Sequence, residues 1–300
     1  MSRMEGLTVA VSVSDAPDRA RLGLPSREVD RALLTICTAL VREGADILYA
    51  GNLSPDQYTF KIFRHLASAY AGGRERAPFL HLVPEPIARR TAFNPLLAGL
   101  RESRAIARTR ISIGGGLVPV RVSETVLLVG PADGERTKIS DQVEWEAWLS
   151  GHPVLDAPEA YTTARRAMAG EADARIALGG KMGVLSFMED RYEGAMPGIA
   201  EEAILTLEAS RPLVPLGVFG GAGRDVAIAL RLLGLDRRVP RGEQQPGYAE
   251  AMDRVAALAD RIPDAVRPAL CEIADDDRGE ATSFAIVNTI LQWRGYSKGV

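Results

Sequence analysis

The strongest constraint on this chain is the way its hydrophobic period switches. Residues 7–13 are a short β-branched run, the pattern of a strand buried on both faces. Val29, Ala32, Leu33, Ile36, Leu40 and Val41 then recur at helical spacing, with Ser26 placed to cap a helix and Gly44 just past its end. Residues 45–49 form the next strand-like run and lead directly into Ala50-Gly51-Asn52. Strand, amphipathic helix and strand in that order make a βαβ crossover, and therefore a parallel sheet.

The rhythm continues. Residues 58–70, 96–106, 143–149, 162–168, 199–209 and 225–233 read as helices, and residues 79–83, 110–113, 125–129, 174–178 and 213–219 as strands. Residues 114–138, with Gly114-Gly115-Gly116 and several valines, fit a hairpin or an insertion. Beyond a charged linker at 237–245 only helical patterns follow, at 248–259 and 284–293. The expected fold is α/β: a Rossmann-like, doubly wound, mostly parallel sheet with helices on both faces. A ligand-binding domain is expected over residues 1–235, with residues 236–300 as a helical extension packed on it, since so short a tail buries little core alone.

Composition narrows the function classes. The 300 residues carry 36 Lys+Arg against 39 Asp+Glu, so there is no basic excess to neutralise duplex nucleic acid. Two cysteines, Cys37 and Cys271, and three histidines supply neither a disulfide framework nor a structural zinc site, and no metal is expected. The apolar runs are strand-length, short of the ~20 residues of a spanning helix. Together with a Met-Ser-Arg-Met-Glu-Gly start that lacks a signal pattern, this predicts a cytoplasmic protein with no membrane partner.

In a parallel sheet, ligands bind beyond the C-terminal ends of the strands. Four such ends here carry small or glycine-rich loops: Ser12 and Ser14 with Asp15; Gly51 and Asn52; Gly179, Gly180 and Lys181; and Gly220, Gly221 and Gly223. Glycine lets backbone approach an anion closely, so their convergence points to a phosphate-bearing ligand, and Gly221→Val is expected to abolish binding without unfolding the chain. Neither Gly-x-x-x-x-Gly-Lys-Ser/Thr nor Gly-x-Gly-x-x-Gly occurs, which disfavours a P-loop enzyme or a nicotinamide dehydrogenase. No cofactor is expected.

One longer constellation carries a family resemblance. Thr163-Ala164-Arg165-Arg166 on a helix, the strand at 174–178, Gly179-Gly180-Lys181 and Pro197-Gly198-Ile199-Ala200-Glu201-Glu202 resemble the SLOG superfamily. That group unites the Lonely Guy nucleotide phosphoribohydrolases, the DNA-processing protein fold and the ligand-sensing regions of melastatin-type channels. The resemblance extends over residues 7–235, with Tyr49-Ala50-Gly51-Asn52 standing where the group has a Tyr-Gly-Gly turn. The hydrolases' compact Gly-Gly-x-Gly-Thr loop is split here and its threonine is missing, which looks more like the prokaryotic and channel-type sensors.

The resemblance implies a sensor of a nucleotide-derived, ADP-ribose-like ligand. The loop amides, Pro197, Gly198 and Glu201 would lie on the ligand, with Lys181 or Arg224 on phosphate. The alternative it implies is hydrolysis of the N-glycosidic bond of a nucleoside 5′-monophosphate, with Glu202 and Arg165 as the catalytic pair. A small nucleotide-type molecule is the partner in both, and self-association into a homo-oligomer is left open. Plain structural readings stand beside these. Acids in a helix's first turn are favoured by its dipole alone, which covers Glu201 and Glu202. Arg165 fits a solvated helix face, and His65, His81 and His152 fit packing roles. Trp145 and Trp148 fit an interface or core stripe.

Overall fold

The computed structural model describes residues 2–54, 56–70 and 77–297. In chain order its elements are β1 (Thr8–Ser14), α1 (Ser26–Arg42), β2 (Asp46–Ala50), α2 (Tyr58–Tyr70), β3 (Phe79–Val83), α3 (Glu85–Arg90) and α4 (Phe93–Ser103). Then come β4 (Ala107–Ile113), β5 (Gly116–Ser123), β6 (Val126–Val129), β7 (Thr137–Ile139), α5 (Gln142–Ser150) and α6 (Ala157–Glu171). The last stretch holds β8 (Ala174–Gly179), α7 (Gly198–Glu208), β9 (Leu213–Leu216), α8 (Gly221–Ala229), α9 (Tyr248–Ala257), α10 (Arg267–Ala274) and α11 (Gly279–Ser297). These elements make a mixed α/β, Rossmann-like fold with mostly parallel strands, divided into two compact units: Met1–Ala45 with Ala169–Val300, and Asp46–Met168.

In the first unit β8 lies between β1 and β9, and both pairings are parallel, running from Val9↔Ala174 to Ser14↔Gly179 and from Arg175↔Leu213 to Leu178↔Leu216. All six β8 residues are buried, as are the five central residues of β1. Consecutive burial of this kind means that both faces of these strands are covered. Helices α7 and α8 pack on β8 and β9, and α10 and α11 also reach β9. α9 lies on α7 and α8, while α11 lies along α1. The helices that follow residue 236 therefore pack on elements of this unit.

The second unit runs β2–β3–β4 in parallel and then β4–β5–β6–β7 antiparallel. Residues 114–138 thus form a meander. The pair Ile113↔Gly116 leaves Gly114 and Gly115 as a two-residue turn with φ of +55° and +83°, the doubly positive conformation that matches strand twist in a tight hairpin. Buried Ile111, Val120, Leu127 and Ile139 line its inner face.

Some boundaries differ from those the pattern predicts. α1 begins at Ser26 with Pro25 in the cap position, so Ser26 opens the helix rather than capping it. α8 starts at Gly221, four residues before the expected 225, and β9 stops at Leu216 in a short 3-10 turn over Gly217–Phe219. α3 and α10 have no counterpart in the periodicity reading. Each is short and opens with a proline in its first turn, where the missing N–H costs nothing. Among the described residues no helix is long and apolar enough to cross a membrane.

Candidate functional site

The first unit brings together the ends of β1 and β8 and the N-termini of α7 and α8. β8 ends in Gly179 and Gly180, both with positive φ, and the Gly180 N–H donates to the Ser14 carbonyl (3.0 Å) at the end of β1. The Gly180 carbonyl in turn accepts from the Ala222 N–H (3.1 Å) in the first turn of α8. A Cβ on Gly180 would stand 2.6 Å from Ile199 Cδ1, so the start of α7 closes over the same loop.

Gly179 and Gly221 serve contact between backbones, whereas Gly180 makes room for the Ile199 and Ala222 side chains. Gly221 has φ +62°, and a Cβ there would collide with the Gly180 carbonyl oxygen and stand 2.7 Å from the Gly179 carbonyl carbon. Gly179, Gly180, Gly220 and Gly221 are all buried. The side chain of Gly221→Val would press on the backbone of the β8 loop, so that substitution is expected to strain the fold as well as any ligand contact.

The α8 N-terminus already has its anion. Asp18, only 5% exposed, accepts the Gly221 N–H through Oδ1 at 2.7 Å. Burial raises the Asp18 pKa above the ordinary aspartate value, partly offset by that hydrogen bond. Arg224 is buried and spends its guanidinium on backbone, donating from Nε to the Arg237 carbonyl (2.6 Å) and from Nη1 to the Gly217 carbonyl (3.1 Å). Burial lowers its pKa. Asp225, beside it, is held by Arg241 and by the Tyr248 hydroxyl (2.6 Å). The start of α8 is thus a self-satisfied polar cluster.

The α7 N-terminus is different. Its cap position is Pro197, which supplies no capping side chain, so Gly198 and Ile199 start the helix with amides that Pro197 leaves uncapped. Lys181 follows the β8 loop, and its Nζ donates to the Arg191 carbonyl (2.8 Å). The segment between them is pinned by Asp190, whose carboxylate accepts from the Met182 and Val184 amides at 2.9 and 2.7 Å. Burial raises the Asp190 pKa.

Glu201 and Glu202 lie in the first two turns of α7. Glu201 is buried. Glu202 accepts a hydrogen bond from the Ser12 hydroxyl, and its Oε2 lies 2.8 Å from Arg175 Nη1. Arg175 is fully buried on β8, also donating to Ser12 Oγ (2.6 Å) and to Thr206 Oγ1 (2.9 Å). Glu202 therefore has a cationic partner on the strand. Sequence reasoning overlooked Arg175, although a signal was present: an arginine inside a run buried on both faces demands a paired acid. Asp18 was overlooked too, as one of several polar residues in a loop.

Three further sequence candidates belong to the second unit. The Gly51 N–H donates to the Leu82 carbonyl (3.1 Å), and its own carbonyl lies 3.0 Å from His81 Nε2. Burial pushes the His81 pKa down to about 4, against the opposing effect of that carbonyl. Asn52 Oδ1 accepts from the Ser54 N–H (3.0 Å) in a side-chain turn. Arg165, on α6, lies over the Tyr161 ring at 5.4 Å. Trp145, also in this unit, is fully buried and donates from Nε1 to the Thr91 carbonyl (2.9 Å). Among the described residues no group of three or more His, Cys, Asp or Glu is arranged to hold a metal ion.

A protein-family model described as SLOG cluster2 matches residues 3–111 and 124–269. No curated protein matches the chain.

Proposed function

The chain belongs to the SLOG cluster2 family, a nucleotide-related Rossmann-like domain, and from that membership we propose that it binds and senses a nucleotide-derived ligand rather than cleaving one. The ligand is ADP-ribose-like, its negative end lies at the start of α7, and the protein works in the cytoplasm as a sensor of the prokaryotic and channel type. Residues up to about 235 carry the ligand, and the helices after them act as a packed extension.

The observation that carries this reading is the state of Glu202. In a hydrolase this carboxylate would stabilise a developing ribosyl cation or activate water. Here it is already engaged by the Ser12 hydroxyl and the buried Arg175 guanidinium, contacts within the protein that tie it to β1 and β8. The start of α8 is filled by Asp18, whereas α7 opens without a capping side chain. Backbone N–H groups at such a helix start suit a phosphate, with Gly198 as donor and Lys181 able to turn from the Arg191 carbonyl toward the ligand.

The test is calorimetric titration with ADP-ribose and AMP, with base release followed chromatographically in parallel. Gly198→Pro deletes one amide at the first helical position, where proline is well tolerated. It should weaken binding roughly tenfold, as for a hydrogen bond to a charged group worth ~1.5 kcal/mol, while leaving the unfolding midpoint in place. Steady release of base from AMP by the wild-type protein would overturn the sensor reading.

A further inference from the structure

A cluster of arginines lines a cavity in the second unit. The cavity, of about 560 Å³, is lined by residues of α4, β4 and β5, including Arg104, Arg108, Arg110 and Arg121, with Ser103 and Thr109 as further polar groups and no Asp or Glu. That volume is in the range of small-molecule sites, roughly 300–1,000 Å³.

The arginines are set by strand geometry. Arg108 and Arg110 are two apart on β4 and share a face. The antiparallel register pairs Thr109 with Val120, so one step further along places Arg121 opposite Arg108. Like charges directly opposite one another destabilise a sheet pair. Asp46 holds Arg108 at 2.6 Å, and Arg108 Nε also donates to the Ala77 carbonyl (3.0 Å). Arg104 and Arg121 make no ion pair or side-chain hydrogen bond among the described residues. Arg104 stands at the C-terminal cap of α4, where the helix dipole favours a cation, and Arg121 is exposed on β5. β5 also falls within residues 112–123, between the two stretches matched by the family model.

We propose that this cavity binds a small polyanion bearing at least two linked phosphates. Arginine's planar fork matches phosphate oxygens. Cross-strand neighbours about 5 Å apart, with Arg110 about 7 Å along the strand, suit a chain of phosphates better than a single one. A single concave cavity also suits a small molecule better than an extended nucleic-acid strand.

The probe is sodium tripolyphosphate, titrated calorimetrically into the full chain at fixed ionic strength, with sulfate as the control anion. Wild type should bind one equivalent near this cavity, and R104A/R121A should lose at least tenfold in affinity while keeping its unfolding midpoint. R121E alone should lose more than R121A. ATP tested in the same way identifies the source: equal affinity points to the phosphate chain alone, and tighter binding to a nucleoside polyphosphate, both within the proposal. Binding unchanged in R104A/R121A, an equal heat from sulfate, or no binding by wild type would overturn it. So would loss of tripolyphosphate binding in Gly198→Pro, which would assign the anion to the α7 site, or displacement by a single-stranded oligonucleotide at the same arginines.

Discussion

Gly221→Ala tests whether the paired glycine loops are a packing device. Gly221 has φ +62°, and an added Cβ would meet the Gly180 carbonyl oxygen and stand 2.7 Å from the Gly179 carbonyl carbon. Two costs arise. The left-handed conformation disfavours an L-residue by about 1–2 kcal/mol, and forcing a methyl against fixed backbone adds about 1–3 kcal/mol. Gly23→Ala isolates the first of these, because Gly23 has φ +71° and nothing within 4 Å of its added Cβ. Urea denaturation of both variants, followed by circular dichroism without ligand, should separate them by about 1–3 kcal/mol with Gly221→Ala the weaker. A difference under about 0.5 kcal/mol, within the range of an ordinary surface change, would refute the packing argument and return Gly221 to the role of a ligand cradle.

Glu202→Gln leaves the buried Arg175 without its charge partner and should destabilise by about 3 kcal/mol, and Glu202→Gln with Arg175→Met should recover most of that loss; urea midpoints that fail to separate the single from the double variant would refute the pairing. His81 has a folded pKa of about 4 against 6.5 for the ordinary side chain. The unfolded chain therefore binds the extra proton first, and this contribution is full above pH 6.5 and lost as pH falls toward 4. It amounts to roughly 3 kcal/mol at about 1.4 kcal/mol per pH unit, so thermal unfolding of His81→Phe between pH 7 and 4 should be flatter than that of wild type, and parallel curves would count against a buried neutral imidazole.

The α/β class was legible because strands buried on both faces read as continuous apolar runs, as in 174–178, and because 29–41 kept one helical face. The end of the 174–178 run was legible for the same reason and located the Gly179 loop, whereas the end of β9 was not, because the apolar run continues through the 3-10 turn at Gly217–Phe219. What the loops do was not legible. A glycine needed for backbone-to-backbone contact and one needed for a phosphate have the same sequence signature, and only the position of Gly180 relative to Gly221 separates them. The partner of Glu202 was hidden because it lies 27 residues away on a strand, while Arg165 on the preceding helix matched a family pattern. The short helices α3 and α10 span too few turns for a period to register.

The interleaved layout of the units also bears on how the chain is made. β1 pairs with β8 through Val9↔Ala174, a separation of 165 residues, and Asp46–Met168 lies wholly between them. At about 5–20 residues per second, the ribosome needs roughly 10–30 s to deliver β8 after β1 has emerged. The inserted unit is complete before its host can close, so synthesis favours an order in which the middle of the protein folds first. β1 spends that interval as an apolar strand without its β8 neighbour, and apolar strand surface exposed in this way is prone to aggregation.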